Sequence, residues 1–113
     1  MKVKLSAIAC ARSGDKGSHA NVGVIFKNND LYLWGKEHLT CDIVKSHFKS
    51  IVKGEVIRYH LDNINSLNFI LHDSLGGGGS ESLLNDAQGK TYGQAMLMID
   101  VEIPNNLRKY INE

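Results

Sequence analysis

Apolar and polar residues alternate from the start of the chain: Val3, Leu5, Ala7 and Ala9 fall on one side, and Lys2, Lys4 and Ser6, with Ile8, on the other. This period of two predicts a strand with one buried face, closing near Cys10. A second alternation puts Val22, Val24 and Phe26 on one face, with Gly23 allowing another backbone to approach and Asn28, Asn29 and Asp30 ending the run as a turn. Between them, Arg12 to His19 reads as a loop. From Leu31 to Lys53 the spacing becomes helical: Leu31 and Trp34, then Ile43, Val44, His47, Phe48 and Ile51 behind Thr40, a residue of N-cap type, with Gly54 as a stop.

Ile57, Tyr59 and Leu61 then alternate with Val56, Arg58 and His60, the mark of a third strand. Leu67, Ile70, Leu71, Ser74 and Leu75 stand at i, i+3, i+4, i+7 and i+8 and predict a further helix, ended by a glycine run. The C-terminal part reads as a hairpin, from Ser82 to Asn85 through the turn residues Asp86 to Lys90 and back along the longest strand. On that strand Ala95, Leu97, Ile99, Val101 and Ile103 form the buried face, Gln94, Met96, Met98, Asp100 and Glu102 the other, and Pro104 stops the run. The order ββαβαββ predicts an α+β fold, a mostly antiparallel sheet with two helices on one face.

The chain has 113 residues, which fits one domain over 1–113, since two cores at this size would each be too small to stabilise themselves. A hydrophobic fraction of 42% and a charged fraction of 22% are ordinary for a globular protein. A net charge of +1 gives no general electrostatic reason to bind nucleic acid or an anionic membrane. No stretch approaches the roughly 20 apolar residues of a membrane helix, and the opening strand pattern is not the apolar core of a signal peptide. Cys10 and Cys41 are too few for a disulfide framework and lie in no metal-binding spacing, so a reduced, cytoplasmic protein without metal or cofactor is expected.

Two segments could carry chemistry. Ala11-Arg12-Ser13-Gly14-Asp15-Lys16-Gly17-Ser18-His19-Ala20-Asn21 is the densest polar stretch; its glycines let backbone N–H groups turn inward while Arg12 and Lys16 add positive charge, a combination suited to a phosphate or carboxylate. The plainer reading is a tight connector with solvated charges. The second is Gly76-Gly77-Gly78-Gly79, either bare backbone offered to a ligand or partner, or a helix C-cap and close turn. Asn65, Asn68 and His72 make a polar stripe on the expected helix between them; His72 could act as acid or base, or be a histidine satisfied by neighbouring Asp73. Gly89-Lys90-Thr91 is not a phosphate-binding P-loop, because the position five before Gly89 is Leu84, and there is no GxSxG nucleophile motif.

Taken together, Ala11 to Gly17 with Ala20 to Val24, Glu37 to Thr40, Leu67 to His72 with Leu75 to Gly78, and Asp86 to Lys90 resemble the C-terminal ferredoxin-fold domain of the acyclic terpene utilisation AtuA family over nearly the whole chain. The resemblance implies a ferredoxin-like fold and a place in the breakdown of acyclic terpenoids or branched acyl-CoA compounds. In the family's long form this domain follows a large N-terminal one, so the resemblance also implies an AtuA-type large subunit as partner. It makes Arg12, Ser13, Gly14, Asp15, Lys16, Gly17, Asn21, Asn68, His72 and Gly76, Gly77, Gly78 and Gly79 the candidate binding residues, and it supplies no catalytic residue. The expected function is an accessory or binding module for an anionic small molecule such as an acyl-CoA. The alternatives are a small hydratase or lyase, with His72 or Asp15 in acid–base work, and a structural domain that forms homo-oligomers through the Met96 and Met98 face.

Overall fold

A computed structural model describes residues 1–16, 19–48, 52–72 and 92–111, with the side chains of Asp15 and Lys16 outside the described set. Four strands form the main sheet: β2 (Ala9–Lys16), β3 (His19–Phe26), β4 (Val56–Leu61) and β5 (Ser66–Leu71), in the order β2-β3-β5-β4 with every neighbour antiparallel. A separate two-stranded ribbon pairs β1 (Lys2–Lys4) with β6 (Asp100–Glu102). Two helices, α1 (Asn29–His38) and α2 (Cys41–His47), join β3 to β4 and pack against those strands. The architecture is α+β, as the pattern predicts, and ferredoxin-like, as the resemblance implies.

The sheet is one-sided because its central strands are strictly alternating. Ala20, Val22, Val24 and Phe26 on β3 and Leu67, Phe69 and Leu71 on β5 are buried beneath the helices, where they join Leu31, Trp34, Val44 and Phe48 in one core. Burying each such side chain stabilises the fold by about 1.5–3 kcal/mol before the entropy of ordering it is counted. Both helices start at side-chain caps: Asn28 Oδ1 accepts from the Leu31 amide at 2.9 Å, and Thr40 Oγ1 from that of Ile43 at 3.3 Å. Asn28 therefore opens α1, and Asn29 and Asp30 belong to that helix rather than to a free turn. The helix stop expected at Gly54 comes earlier, since α2 ends at His47 and the Gly54 amide instead donates to the His72 carbonyl at 3.0 Å.

Four further sequence expectations are corrected. The opening alternation is broken by a 3-10 turn at Leu5–Ala7, which brings Leu5 and Ile8, three apart, into the core together and separates β1 from β2. The expected loop from Arg12 is mostly strand, with Lys16 paired to His19 at the end of a long hairpin. The expected helix from Leu67 is β5: Leu67, Phe69 and Leu71 satisfy a period of two as well as Leu67, Ile70 and Leu71 satisfy a helical one, and the free edges of β3 and β4 decide between them. In the expected C-terminal strand, residues 92–96 are helical, burying Tyr92 and Met96 while Met98 is 56% exposed, so the two methionines do not share a face; only Asp100–Glu102 is extended. Ile51, Asp73, Ser74, Leu75 and the turn expected at 82–90 lie outside the described residues.

Polar ties hold the periphery. The Tyr32 hydroxyl donates to Asp62, which also meets Lys36 at 3.2 Å, pinning α1 to the β4–β5 turn. Tyr110 donates to Asp30 at 2.7 Å, holding the C-terminal 3-10 turn (Asn105–Tyr110) on α1. Burial, then the hydrogen bond to Asp62 and its charge, push the Tyr32 phenol up from 10.0 to about 12. A raised pKa means that the stability contributed by the neutral phenol is complete below pH 10.0 and lost as pH climbs toward about 12. Urea denaturation across that window is expected to show a steeper loss for the wild type than for Tyr32→Phe; equal slopes would refute the coupling.

Gly35 sits where α1 crosses Phe26, and a Cβ there would press into the Phe26 ring, with two ring carbons at 2.9 Å. Helix propensity favours alanine over glycine by about 1 kcal/mol, whereas overpacking a core costs about 1–3 kcal/mol. Since the Phe26 ring is itself buried, overlap wins. Gly35→Ala is expected to lower the unfolding free energy by roughly 1–2 kcal/mol in urea titration, and adding Phe26→Leu to recover part of the loss.

Candidate functional site

Because Val22, Val24, Phe69 and Leu71 turn inward, the residues between them turn outward. Register then assembles, row by row, a second face that carries no helix among the described residues. One row runs Gly14, Asn21, Ile70 and Ile57 across β2, β3, β5 and β4, and the next Arg12, Gly23, Asn68 and Tyr59. A third holds Cys10, Ile25, Ser66 and Leu61. At the open end of the sheet the His19 and His72 rings meet edge to face, their centroids 4.4 Å apart. The His72 backbone is tied on both sides, its amide donating to the Glu55 carbonyl at 2.9 Å and its carbonyl accepting from Gly54.

Of the residues singled out from sequence, Arg12, Gly14, Asn21, Asn68 and His72 are therefore on one face, although Asn68 and His72 reach it from a strand and its end rather than from a helix. Arg12 and Asn21 are both exposed. Asn68 leans over Gly23, with Oδ1 3.6 Å from where a Cβ would stand. Ser13 lies on the other side of β2: its hydroxyl accepts the Gly93 amide at 3.1 Å and fastens the 92–96 helix to the strand. The Asp15 and Lys16 backbones pair with Ala20 and His19, their side chains being outside the described residues. Gly17 and Gly76 to Gly79 also lie outside them.

Sequence reasoning missed His19, Tyr59, Ile57 and Ile70 as members of this face. The signal was present: His19, Asn21 and Gly23 alternate with Ala20, Val22 and Val24, so the polar stretch already had a strand period. Chemically the face divides. Its β2–β3 half offers the Arg12 guanidinium and the Asn21 amide, with Asn68 beside them on β5, all groups that donate to an anion. Its β4 side offers Ile57, Tyr59 and Leu61, with Ile70 adjoining; Tyr59 is 52% and Leu61 42% exposed. The three rows hold no carboxylate among the described side chains; Glu55 follows just beyond them, its backbone bonded to that of His72.

Concave surface is found elsewhere. Clefts of about 790 and 450 Å³ border α1 and the C-terminal segment and share Trp34 and His38. Their charges are mixed and largely paired already, Asp30 with Tyr110 and Lys36 with Asp62, so no single ligand chemistry converges there. No group of three His, Cys, Asp or Glu side chains able to hold a metal occurs among the described residues, and no described helix is long and apolar enough to cross a membrane.

Fold and face together define an α+β chain of ferredoxin-like architecture whose sheet has a face free of helices among the described residues. The family model of the AtuA ferredoxin-like domain matches residues 3–102, from β1 to β6, and the chain belongs to that family. Comparison with curated proteins and with solved structures returns no match.

The two sides of β2 should respond differently to substitution. Ser13→Ala is expected to cost about 1 kcal/mol and to speed hydrogen exchange at the Gly93 amide. Arg12→Ala should leave stability within about 0.5 kcal/mol. Equal destabilisation by both variants would show that Arg12 serves the fold.

Proposed function

We propose that this chain is a non-catalytic binding module that receives an anionic small molecule on its open sheet face. It works in the cytoplasm, as a single domain, beside an AtuA-type large subunit in the breakdown of acyclic terpenoids or branched acyl-CoA compounds. The observation that carries the reading is the register that puts Arg12, Asn21, Asn68, His19 and His72 on one surface. Membership of the AtuA ferredoxin-like family supports the pathway and the partner. Two cysteines without a disulfide, Cys10 and Cys41, agree with a reducing compartment. Lys16, Asp15, Gly17 and the Gly76 to Gly79 run are candidate members of the same site on the strength of the family pattern.

The test is a thermal-shift titration with coenzyme A, geranyl-CoA and inorganic phosphate on the wild type and Arg12→Ala. At about 100 times its dissociation constant a ligand stabilises the native state by roughly 2.7 kcal/mol, enough to move the midpoint by several degrees. A shift that Arg12→Ala loses supports the site; a shift retained in full places the ligand elsewhere, and no shift with any compound rejects the binding role. Association with a purified AtuA-type large subunit is expected at micromolar concentration in analytical sedimentation, and its absence would reject the partner.

A further inference from the structure

Taking the open face as the binding surface, we infer that its ligand is an amphipathic anion whose head and tail lie across the strands: the charged group over β2 and β3, the apolar chain over β5 and β4. The inference rests on the proposed binding role and adds the class and direction of the ligand. Across the two rows at Arg12 and Asn21, polarity falls from β2 to β4, whereas the third row, Cys10, Ile25, Ser66 and Leu61, lies outside this gradient. Gly14, Asn21, Ile70 and Ile57 form one row and Arg12, Gly23, Asn68 and Tyr59 the next, so each row begins at polar groups or glycine and ends at an apolar side chain on β4.

The dimensions suit such a ligand. Neighbouring strands stand about 4.8 Å apart, so the span from β2 to β4 is roughly 14 Å. An extended chain gains about 1.25 Å per methylene, so from a head over β3 an eight-carbon chain reaches the β4 edge; the strand spacing sets that reach at roughly 10 Å. Charge complementarity fixes the polarity. Arg12 supplies a permanent cation, with the amides of Asn21 and Asn68 as neutral donors, and the described side chains of the Arg12 and Asn21 rows include no carboxylate to repel an anion. At the other end Ile57, Ile70 and Tyr59 give a chain apolar area, and the exposed Leu61 and Ile64 continue it at the β4–β5 turn.

Full burial of a methylene is worth roughly a fourfold gain in affinity, and one-sided contact on a flat face about half that free energy, or roughly twofold per methylene. The experiment is an NMR titration of the full chain with acetate, inorganic phosphate, octanoate and octanamide, following the Ile57 and Ile70 methyls and the Arg12 side chain. It is repeated on Arg12→Gln, Tyr59→Ser and Ile57→Ser. Octanoate is expected to bind at least about tenfold more tightly than acetate, moving both groups of signals. Arg12→Gln should weaken octanoate more than octanamide, and the β4 variants should weaken octanoate while leaving acetate unchanged.

Acetate or phosphate binding that depends on Arg12 but gains nothing from the longer chain would overturn the amphipathic ligand and leave the anion-binding role standing. Octanoate and octanamide binding alike, without regard to Arg12, would overturn both. Self-association that Tyr59→Ser abolishes and octanoate does not compete with would show that a second copy covers the apolar side, and the inference would fall.

Discussion

Everything on the open face depends on the pairing of β3 with β5 at the centre of the sheet. The register from Ala20 opposite Leu71 to Ile25 opposite Ser66 puts Val22, Val24, Leu67 and Phe69 beneath the helices. A slip of one residue would send that apolar set into water and bring Asn21 and Asn68 into the core, which makes the core the reason the polar side chains point outward. The register is pinned at both ends. The Phe26 amide donates to the Asn65 carbonyl at 2.9 Å, next to the left-handed turn in which Asn65 has φ 55°, and His72 is bonded through its backbone to Gly54 and Glu55 at the other end. Asparagine tolerates that left-handed conformation better than most residues, because its short polar side chain can bond locally.

The open face and the core were unequally legible in the sequence. Strand β3, the cap at Thr40 and the stop at Pro104 follow from local chemistry, and the structure has them where the pattern puts them, whereas Asn28, read as part of a turn, is the cap of α1. Segments whose apolar residues fit two periods were misread. Leu67, Phe69, Ile70 and Leu71 make a helical stripe and a strand face equally well, and the edges available for pairing, which no local window contains, choose the strand. Residues 92–103 failed in the opposite sense: Tyr92, Met96 and Ile99 have helical spacing, but the alternation from Ala95 to Ile103 concealed it. The candidate residues were recognisable by type and by their likeness to a family, whereas their common face was not, because it is made by register across three strands.

Reading Arg12 to His19 as a loop has the same origin. A strand half exposed to water carries polar residues at every second position, and with Gly14 and Asp15 among them the stretch takes on the composition of a connector. The alternation of His19, Asn21 and Gly23 with Ala20, Val22 and Val24 shows that composition alone is a poor guide where a sheet has only one packed side. Ser13 illustrates the cost of judging residues by type: within the most polar stretch of the chain it faces the 92–96 helix and serves packing, while Arg12, its neighbour, faces out.

A flat sheet sets a limit on what it can hold. Pockets that retain small molecules bury most of the ligand's surface, whereas a plane touches one side and leaves the other in water. The clefts beside Trp34 are lined by charges of both signs, whereas the Arg12 and Asn21 rows carry a cation and no carboxylate among the described side chains. On the reading proposed for this chain, an anion seated at Arg12 with its tail toward Tyr59 would keep its outer side solvated until another surface came down on it. A second wall would bury that side and exclude water from the guanidinium, strengthening its attraction for the anion in the lower dielectric. On that reading, the exposure of Arg12 and Tyr59 gives a physical reason for a binding surface and a large partner subunit to belong to one function, the partner covering the side of the ligand that the sheet leaves in water.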